Sequence, residues 1–192
     1  SWASVSKLLE TLQESGAFPG AVALVGNASH TLYSRAFGNL TNDGRPPPLP
    51  FTPLSPTTTL FDLASLTKVI ATTSALMLLY QDGLIKLEET AAAYIDDFGG
   101  GGKGNITLLQ LLTHTAGFPP DPSPDYWDPA FGCAGAPVPP DSPSPLAAAT
   151  SCTERAFASL CAQKLASAPG EKYVYSDLSF ISLMYIVGAI AA

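Results

Sequence analysis

The sequence predicts an α+β fold (α/β in the broad sense), with strands near its beginning and helices through the rest. Three observations carry that reading. A short apolar run at 21–26 (AVALVG) follows Pro19-Gly20, and a looser alternation at 30–37 follows it, as in a hairpin. Apolar residues then recur at helical spacing in segment after segment. Hydrophobic residues make up 46% of the 192, enough for one sizeable core and too short a chain for two comfortable domains.

Each element follows in order. Val5, Leu8, Leu9 and Leu12 mark an amphipathic helix over 3–15, closed by Gly16. The run at 21–26 reads as a buried strand, joined to its partner at 30–37 through Asn27-Ala28-Ser29. Residues 39–56, with Pro46-Pro47-Pro48, form a loop. A strongly apolar helix covers 66–80 and ends at Asp82-Gly83, and a second covers 88–95. The glycine run 99–104 lacks the strand, loop and Lys-Ser/Thr order of a phosphate cradle, so it reads as a flexible connector. Residues 107–113 restart a helix with Thr107 as its cap. A proline-crowded insertion at 119–145 holds Tyr126, Trp127 and Phe131; loops of that length carry function or a contact surface, so this is the candidate site for a protein partner. A helix at 154–166, an extended piece at 173–175 and an apolar helix at 178–192 complete the chain.

Composition excludes several functions. A net charge of −7 is the wrong sign for a nucleic-acid surface. The most apolar stretch, 178–192, falls short of the ~20 residues that span a bilayer, so no membrane span is expected. Two histidines, His30 and His114, are too few to suggest a zinc site. Cys133, Cys152 and Cys161 have no metal-ligand spacing. Cys133 and Cys152 bracket a proline-rich loop, which leaves a disulfide open. Free buried thiols are the favoured reading, and they lean toward a soluble protein in a reducing compartment, intracellular or organellar.

The chemistry-bearing pattern is serine followed three positions later by lysine, and it occurs twice. Ser4-Val5-Ser6-Lys7 lies in a polar terminal helix, where the lysine is a solvated side chain. Ser65-Leu66-Thr67-Lys68 opens the apolar helix, where free backbone N–H groups and the helix dipole favour developing negative charge. Lys68 lies one turn on from Ser65, and burial should lower its pKa. The bland alternative is a capping serine and a snorkelling lysine. A second element is Tyr175-Ser176-Asp177, preceded by Pro169-Gly170-Glu171-Lys172-Tyr173. A tyrosine beside a lysine can carry a proton between a serine and a leaving group.

The order Ser65-x-x-Lys68, then LLTHTAG at 111–117, then Tyr175-Ser176-Asp177 opening a helix resembles the serine β-lactamase-related family. That family includes class C β-lactamases, penicillin-binding proteins, D-aminopeptidases and esterases. Residues 18–23, 82–87 and 106–118 resemble the family's first strand, the segment after its nucleophile helix and the run into its Leu-Leu-Thr-His-Thr-Ser-Gly signature. The resemblance implies a β-lactamase/transpeptidase-like fold, an antiparallel sheet flanked by helices plus a helical subdomain. Residues 1–60 would hold the first helix and two sheet strands, and residues 61–192 the helical subdomain.

It further implies Ser65 as acylated nucleophile, Lys68 as its proton partner, Tyr175 as the tyrosine of the second motif and Asp177 as a substrate-binding residue. His114 would be structural. The reaction would be acyl transfer from an amide, ester or β-lactam bond of a small molecule or peptide, with no cofactor and no metal. Two departures stand out. Asp177 replaces the usual asparagine and should hold Lys68 protonated. The family's downstream Lys-Thr-Gly or His-x-Gly triad does not follow Asp177, and losing its oxyanion donor would cost ~10²–10³ in turnover. The remaining strands are therefore expected from a longer polypeptide or a complementing chain, with a sheet edge and the 178–192 helix exposed without them. The alternative function is a catalytically impaired relative serving as a structural or binding component of an assembly.

Overall fold

A computed structural model describes residues 1–40, 53–126 and 152–191. Pro46-Pro47-Pro48, Trp127, Phe131 and Cys133 lie outside the described residues, as does most of the 119–145 insertion and any Cys133–Cys152 pairing. The chain forms two compact units, Ser1–Asp62 and Leu63–Ala192.

In the first unit, helix α1 (Trp2–Glu14) precedes strands β1 (Gly20–Gly26) and β2 (Thr31–Gly38), paired antiparallel from Gly20–Gly38 to Val25–Tyr33. The turn is made by one side chain: Asn27 Oδ1 accepts the N–H groups of Ser29 and His30 at 2.9 and 2.8 Å. Helix spacing of four meets strand spacing of two where α1 lies on β2. Trp2 stacks on Tyr33 at 5.3 Å, Ser6 Oγ and the Tyr33 hydroxyl are 2.9 Å apart, and Glu10 pairs with Arg35. The predicted stripe on α1 is not what is buried, since Val5, Leu8 and Leu12 are exposed. Nor is β1 a fully buried strand; it is half-buried at its start and exposed from Leu24 to Gly26. Among the described residues the sheet has these two strands, so its edges are open except at the end of β2, where Gly38 O accepts the Leu54 N–H at 3.3 Å.

The second unit is helical. A π-helical turn, Lys68–Thr73, runs into α2 (Ser74–Gln81); 3₁₀ turns at Ala91–Ala93 and Gly100–Asn105 lead to α3 (Leu108–Leu112), and α4 (Cys152–Ala162) and α5 (Asp177–Ala191) follow. Its core joins Leu76, Phe98, Leu111, Phe118, Leu160 and Leu183 among others, with Phe98 and Phe118 edge to face at 6.2 Å. α5 anchors it: Leu178, Phe180, Leu183 and Ile186 are buried, each contributing ~1.5–3 kcal/mol on removal from water.

Four expectations for the second unit change. The helix expected exposed buries Leu178, Phe180, Leu183 and Ile186 at the centre of this core and leaves Met184 on its open side, whereas the nucleophile helix, expected buried, presents Val69, Ile70, Met77 and Leu78 to solvent. Both helices are apolar, α5 the more so, and it is α5 that the core covers. The helix expected at 88–95 reduces to one 3₁₀ turn because its backbone groups are taken by the 106–109 segment: Ala91 N–H donates to Ile106 O at 2.8 Å, and Leu108 and Leu109 N–H donate to Glu89 and Leu87 O. The glycine run is an ordered turn, not a connector, organised around a buried Lys103 whose Nζ donates to Gln163 O at 2.9 Å. Among the described residues no helix is long and apolar enough to cross a membrane.

Candidate active site

The frame of the site is the end of α3. A capping box starts that helix: Thr107 Oγ1 accepts the Gln110 N–H at 3.2 Å, and Gln110 Oε1 accepts the Thr107 N–H at 3.0 Å. Its exit turns through two left-handed residues, His114 at φ +56° and Gly117 at φ +88°. Gly117 permits a close approach that no side chain would allow, because a Cβ there would stand 2.3 Å from Ser167 O. The chain at 166–174 therefore runs alongside 114–117: Ala166, Gly170 and Val174 N–H donate to the carbonyls of Gly117, Thr115 and His114 at 2.8, 2.7 and 2.9 Å.

This pairing delivers Tyr175-Ser176-Asp177 to the start of α5. Ser176 is fully buried and pins the segment, its Oγ donating to Pro119 O at 2.6 Å and its N–H to His114 Nδ1 at 3.1 Å. Asp177 N–H donates to Pro120 O at 3.0 Å.

Ser65 comes from a tight turn in which Leu66, Thr67 and Lys68 N–H donate to Leu63, Ala64 and Ser65 carbonyls at 2.9 to 3.1 Å, with Ala64 at φ +44°. Lys68 starts the π turn, whose slipped spacing shows in Thr73 Oγ1 donating to Lys68 O at 2.8 Å. All four predicted side chains meet. Lys68 Nζ donates to Ser65 Oγ at 3.1 Å, lies 2.6 Å from Asp177 Oδ1, and stands 5.0 Å from the centre of the Tyr175 ring. The other Ser-x-x-Lys pair remains on α1, where Lys7 is exposed.

The electrostatics follow from these distances. Burial lowers the Lys68 pKa, as expected from sequence, but hydrogen bonds to Asp177 and Tyr175 outweigh it, and the net shift is upward. The Tyr175 phenol is pulled below its ordinary value by Ser65 and then by Lys68. His114 is pushed down, mainly by burial and then by the Lys68 charge. The group thus has one cation held charged, one phenol biased toward giving up its proton, and a serine hydroxyl within reach of both.

Ser65, Lys68 and Asp177 line a cleft of about 670 Å³ whose apolar wall includes Tyr126, Phe180 and Met184. Burial raises the Tyr126 phenol. Sequence reasoning missed Phe180 and Met184 as wall residues, yet they follow Asp177 by three and seven positions and so share its helix face. Among the described residues no three His, Cys, Asp or Glu side chains gather as a metal site.

The family model described as Beta-lactamase matches residues 5–192. A protein from Salmonella agona named "Putative D-alanyl-D-alanine carboxypeptidase" is 30% identical over 181 residues, covering 91% of this chain and 38% of its own length. One of the same name from Escherichia coli is 31% identical over 186 residues, covering 93% and 39%. The chain therefore spans about two fifths of these relatives. Among solved structures, the octameric penicillin-binding protein homologue from Pyrococcus abyssi superposes with a TM-score of 0.73 at 19% identity, over 100% of this chain and 39% of that one. A class C beta lactamase gives 0.68 at 22% identity, over 99% and 44%. These likenesses establish the β-lactamase/transpeptidase-like fold, here with an unclosed sheet.

Proposed function

Because the chain belongs to the β-lactamase family, whose members are serine hydrolases, we propose that it supplies the nucleophile-bearing part of a hydrolase working through an acyl-enzyme. The bond attacked is an amide, ester or β-lactam. One observation carries the reading: a single ammonium, Lys68 Nζ, reaches Ser65 Oγ at 3.1 Å and Asp177 at 2.6 Å beside the Tyr175 ring. Packing alone gives no reason to gather these groups.

Ser65 Oγ attacks the carbonyl carbon and its proton passes to the Tyr175 oxygen, which is ionised beforehand with Lys68 favouring the phenolate. The C–O bond forms as the scissile bond breaks, and Tyr175 returns the proton to the leaving group. Water then attacks the ester by the same route and frees Ser65. Asp177 holds Lys68 charged and faces the substrate. The names of the relatives make a peptide ending in two D-alanines the first substrate to assay. The opposite wall and the rest of the sheet belong, in this reading, to further polypeptide or a complementing chain, as the open edges and the two-fifths coverage of the relatives suggest. The segment at 119–145 is a candidate contact for a protein partner. Residues 1–60 and 61–192 are the two parts of one incomplete domain.

The test is covalent labelling of the intact protein by a fluorophosphonate or penicillin-type probe. Label is expected on Ser65, absent in Ser65→Ala and slowed ~10²–10⁴-fold in Tyr175→Phe. No labelling of the unaltered protein overturns the enzymatic reading. It would favour the second one, a catalytically impaired structural or binding component, for which the tight Lys68–Asp177 pair is the supporting observation.

A further inference from the structure

His114 touches none of the reacting atoms, yet the backbone on both sides of Tyr175 is tied to it. Its carbonyl accepts the Val174 N–H at 2.9 Å, and its Nδ1 accepts the Ser176 N–H at 3.1 Å. The ring between those anchors, that of Tyr175, lies 4.5 Å from the imidazole at an interplanar angle of 37°. Phe180 approaches the same imidazole at 5.1 Å, and Tyr173 meets it edge-on at 6.0 Å. Val174, Tyr175 and Ser176 are thus gripped by one residue through a carbonyl, a ring and a ring nitrogen.

His114 holds this position in a left-handed backbone, at φ +56°. Such a conformation costs a side-chain-bearing residue free energy, and it persists where the surroundings over-determine it. That geometry ends α3, with Thr115 N–H donating to Gln110 O at 2.8 Å and His114 N–H to Leu111 O at 3.2 Å, and so fixes where the imidazole starts from. The tautomer is also fixed: Nδ1 accepts, so the proton sits on Nε2. An imidazolium would set N–H against the Ser176 N–H. The charged and titratable groups that face the ring are Lys68 from the π turn, Tyr173 and Tyr175 from the segment entering α5, and Asp177 at the start of α5. Burial and Lys68 oppose protonation and outweigh Asp177, so the acceptor survives through neutral pH.

We propose that His114 is a positioning residue, which aims the Tyr175 phenol at Ser65 and Lys68 by fixing the chain on either side of it and releases that aim when its imidazole is protonated. The inference rests on the reading of Tyr175 as proton carrier, but its test does not need turnover. The phenol of Tyr175 is followed by tyrosinate absorbance, as the difference between each protein and its Tyr175→Phe counterpart, and the Ser176 amide by NMR across the His114 titration. The unaltered protein should show Tyr175 ionising below the ordinary phenol range, with the Ser176 amide shifting as His114 takes up its proton. His114→Ala should return Tyr175 toward the ordinary range. His114→Asn places Oδ1 where Nδ1 stands and suits the left-handed backbone, so it should keep the low Tyr175 value while the acid-side movement of Ser176 disappears. If probe labelling occurs, it should slow roughly 10- to 100-fold in His114→Ala and recover in His114→Asn. A Tyr175 titration unchanged in folded His114→Ala, or a Ser176 amide indifferent to His114, overturns the proposal. Should His114→Ala not fold, the titration of the unaltered protein and of His114→Asn decides. A protein that fails to label but gives the expected titrations loses the hydrolase reading and keeps this one.

Discussion

Two lysines of the second unit show how partners set a charge. Lys103 is buried against a carbonyl oxygen, and burial pushes its pKa down. Lys68 is also partly buried, but a carboxylate 2.6 Å away turns the shift upward. Asp177→Asn keeps an acceptor of the same size and removes the charge. Burial is then less opposed, so Lys68 gives up its proton at lower pH. The Tyr175 phenol, which the Asp177 charge pushes up, also ionises at lower pH. Both limbs of the pH profile for Ser65 labelling should therefore move to lower pH in Asp177→Asn, measured as labelling rate against pH. A profile that stays in place contradicts the role given to the pair.

At the scale of elements, the α3 exit and the chain at 166–174 act as one piece, and Gly117 is its tightest point. Gly117→Ala combines a left-handed backbone with a Cβ driven to 2.3 Å from Ser167 O. We expect a loss of about 1–3 kcal/mol in urea unfolding, together with weakened Ser65 labelling, because the segment carrying Tyr175 is displaced; unaltered stability would show that the strands of chain can part freely. The sequence made much of this level readable. Thr107 was recognisable as a cap because its side chain can accept from the first turn, and the one-turn spacing of Ser65 and Lys68 foretold their contact. The proximity of Tyr175 and Asp177 was readable only through the family resemblance, since contacts across more than a hundred residues leave no trace in local periodicity. The π turn was not readable, because a slipped hydrogen-bond register does not alter the apolar pattern. The order around Lys103 was missed for a related reason: glycines suggest freedom until a buried partner removes it. Phe180 and Met184 looked like ordinary core residues because helix α5 is apolar on nearly every side.

For the whole molecule, the two units differ in how much apolar surface they hide. The core cluster lies entirely within Leu63–Ala192, whereas the described part of Ser1–Asp62 buries only Phe37 and Leu54 among its hydrophobic residues. Local stability follows burial. Amide hydrogen exchange should therefore be faster by orders of magnitude in β1 and β2 than at Leu111 in α3 or Leu183 in α5. Equal protection in both would mean that the hairpin is stabilised from outside its own unit.

The π turn at Lys68–Thr73 has an effect on how the top of its helix is clocked. Each residue added to a regular helix rotates what precedes it by about 100°. Here a surplus residue is already absorbed between Lys68 and the seat of Leu76. The ammonium is thereby indexed to Asp177 separately from the anchoring of α2 below it. Shortening the chain by one position within 69–72 would regularise the coil and leave both Leu76 and the lysine facing where they do now, whereas the same loss from the regular coil of α2 ahead of Leu76 would turn the lysine by about 100° away from its carboxylate.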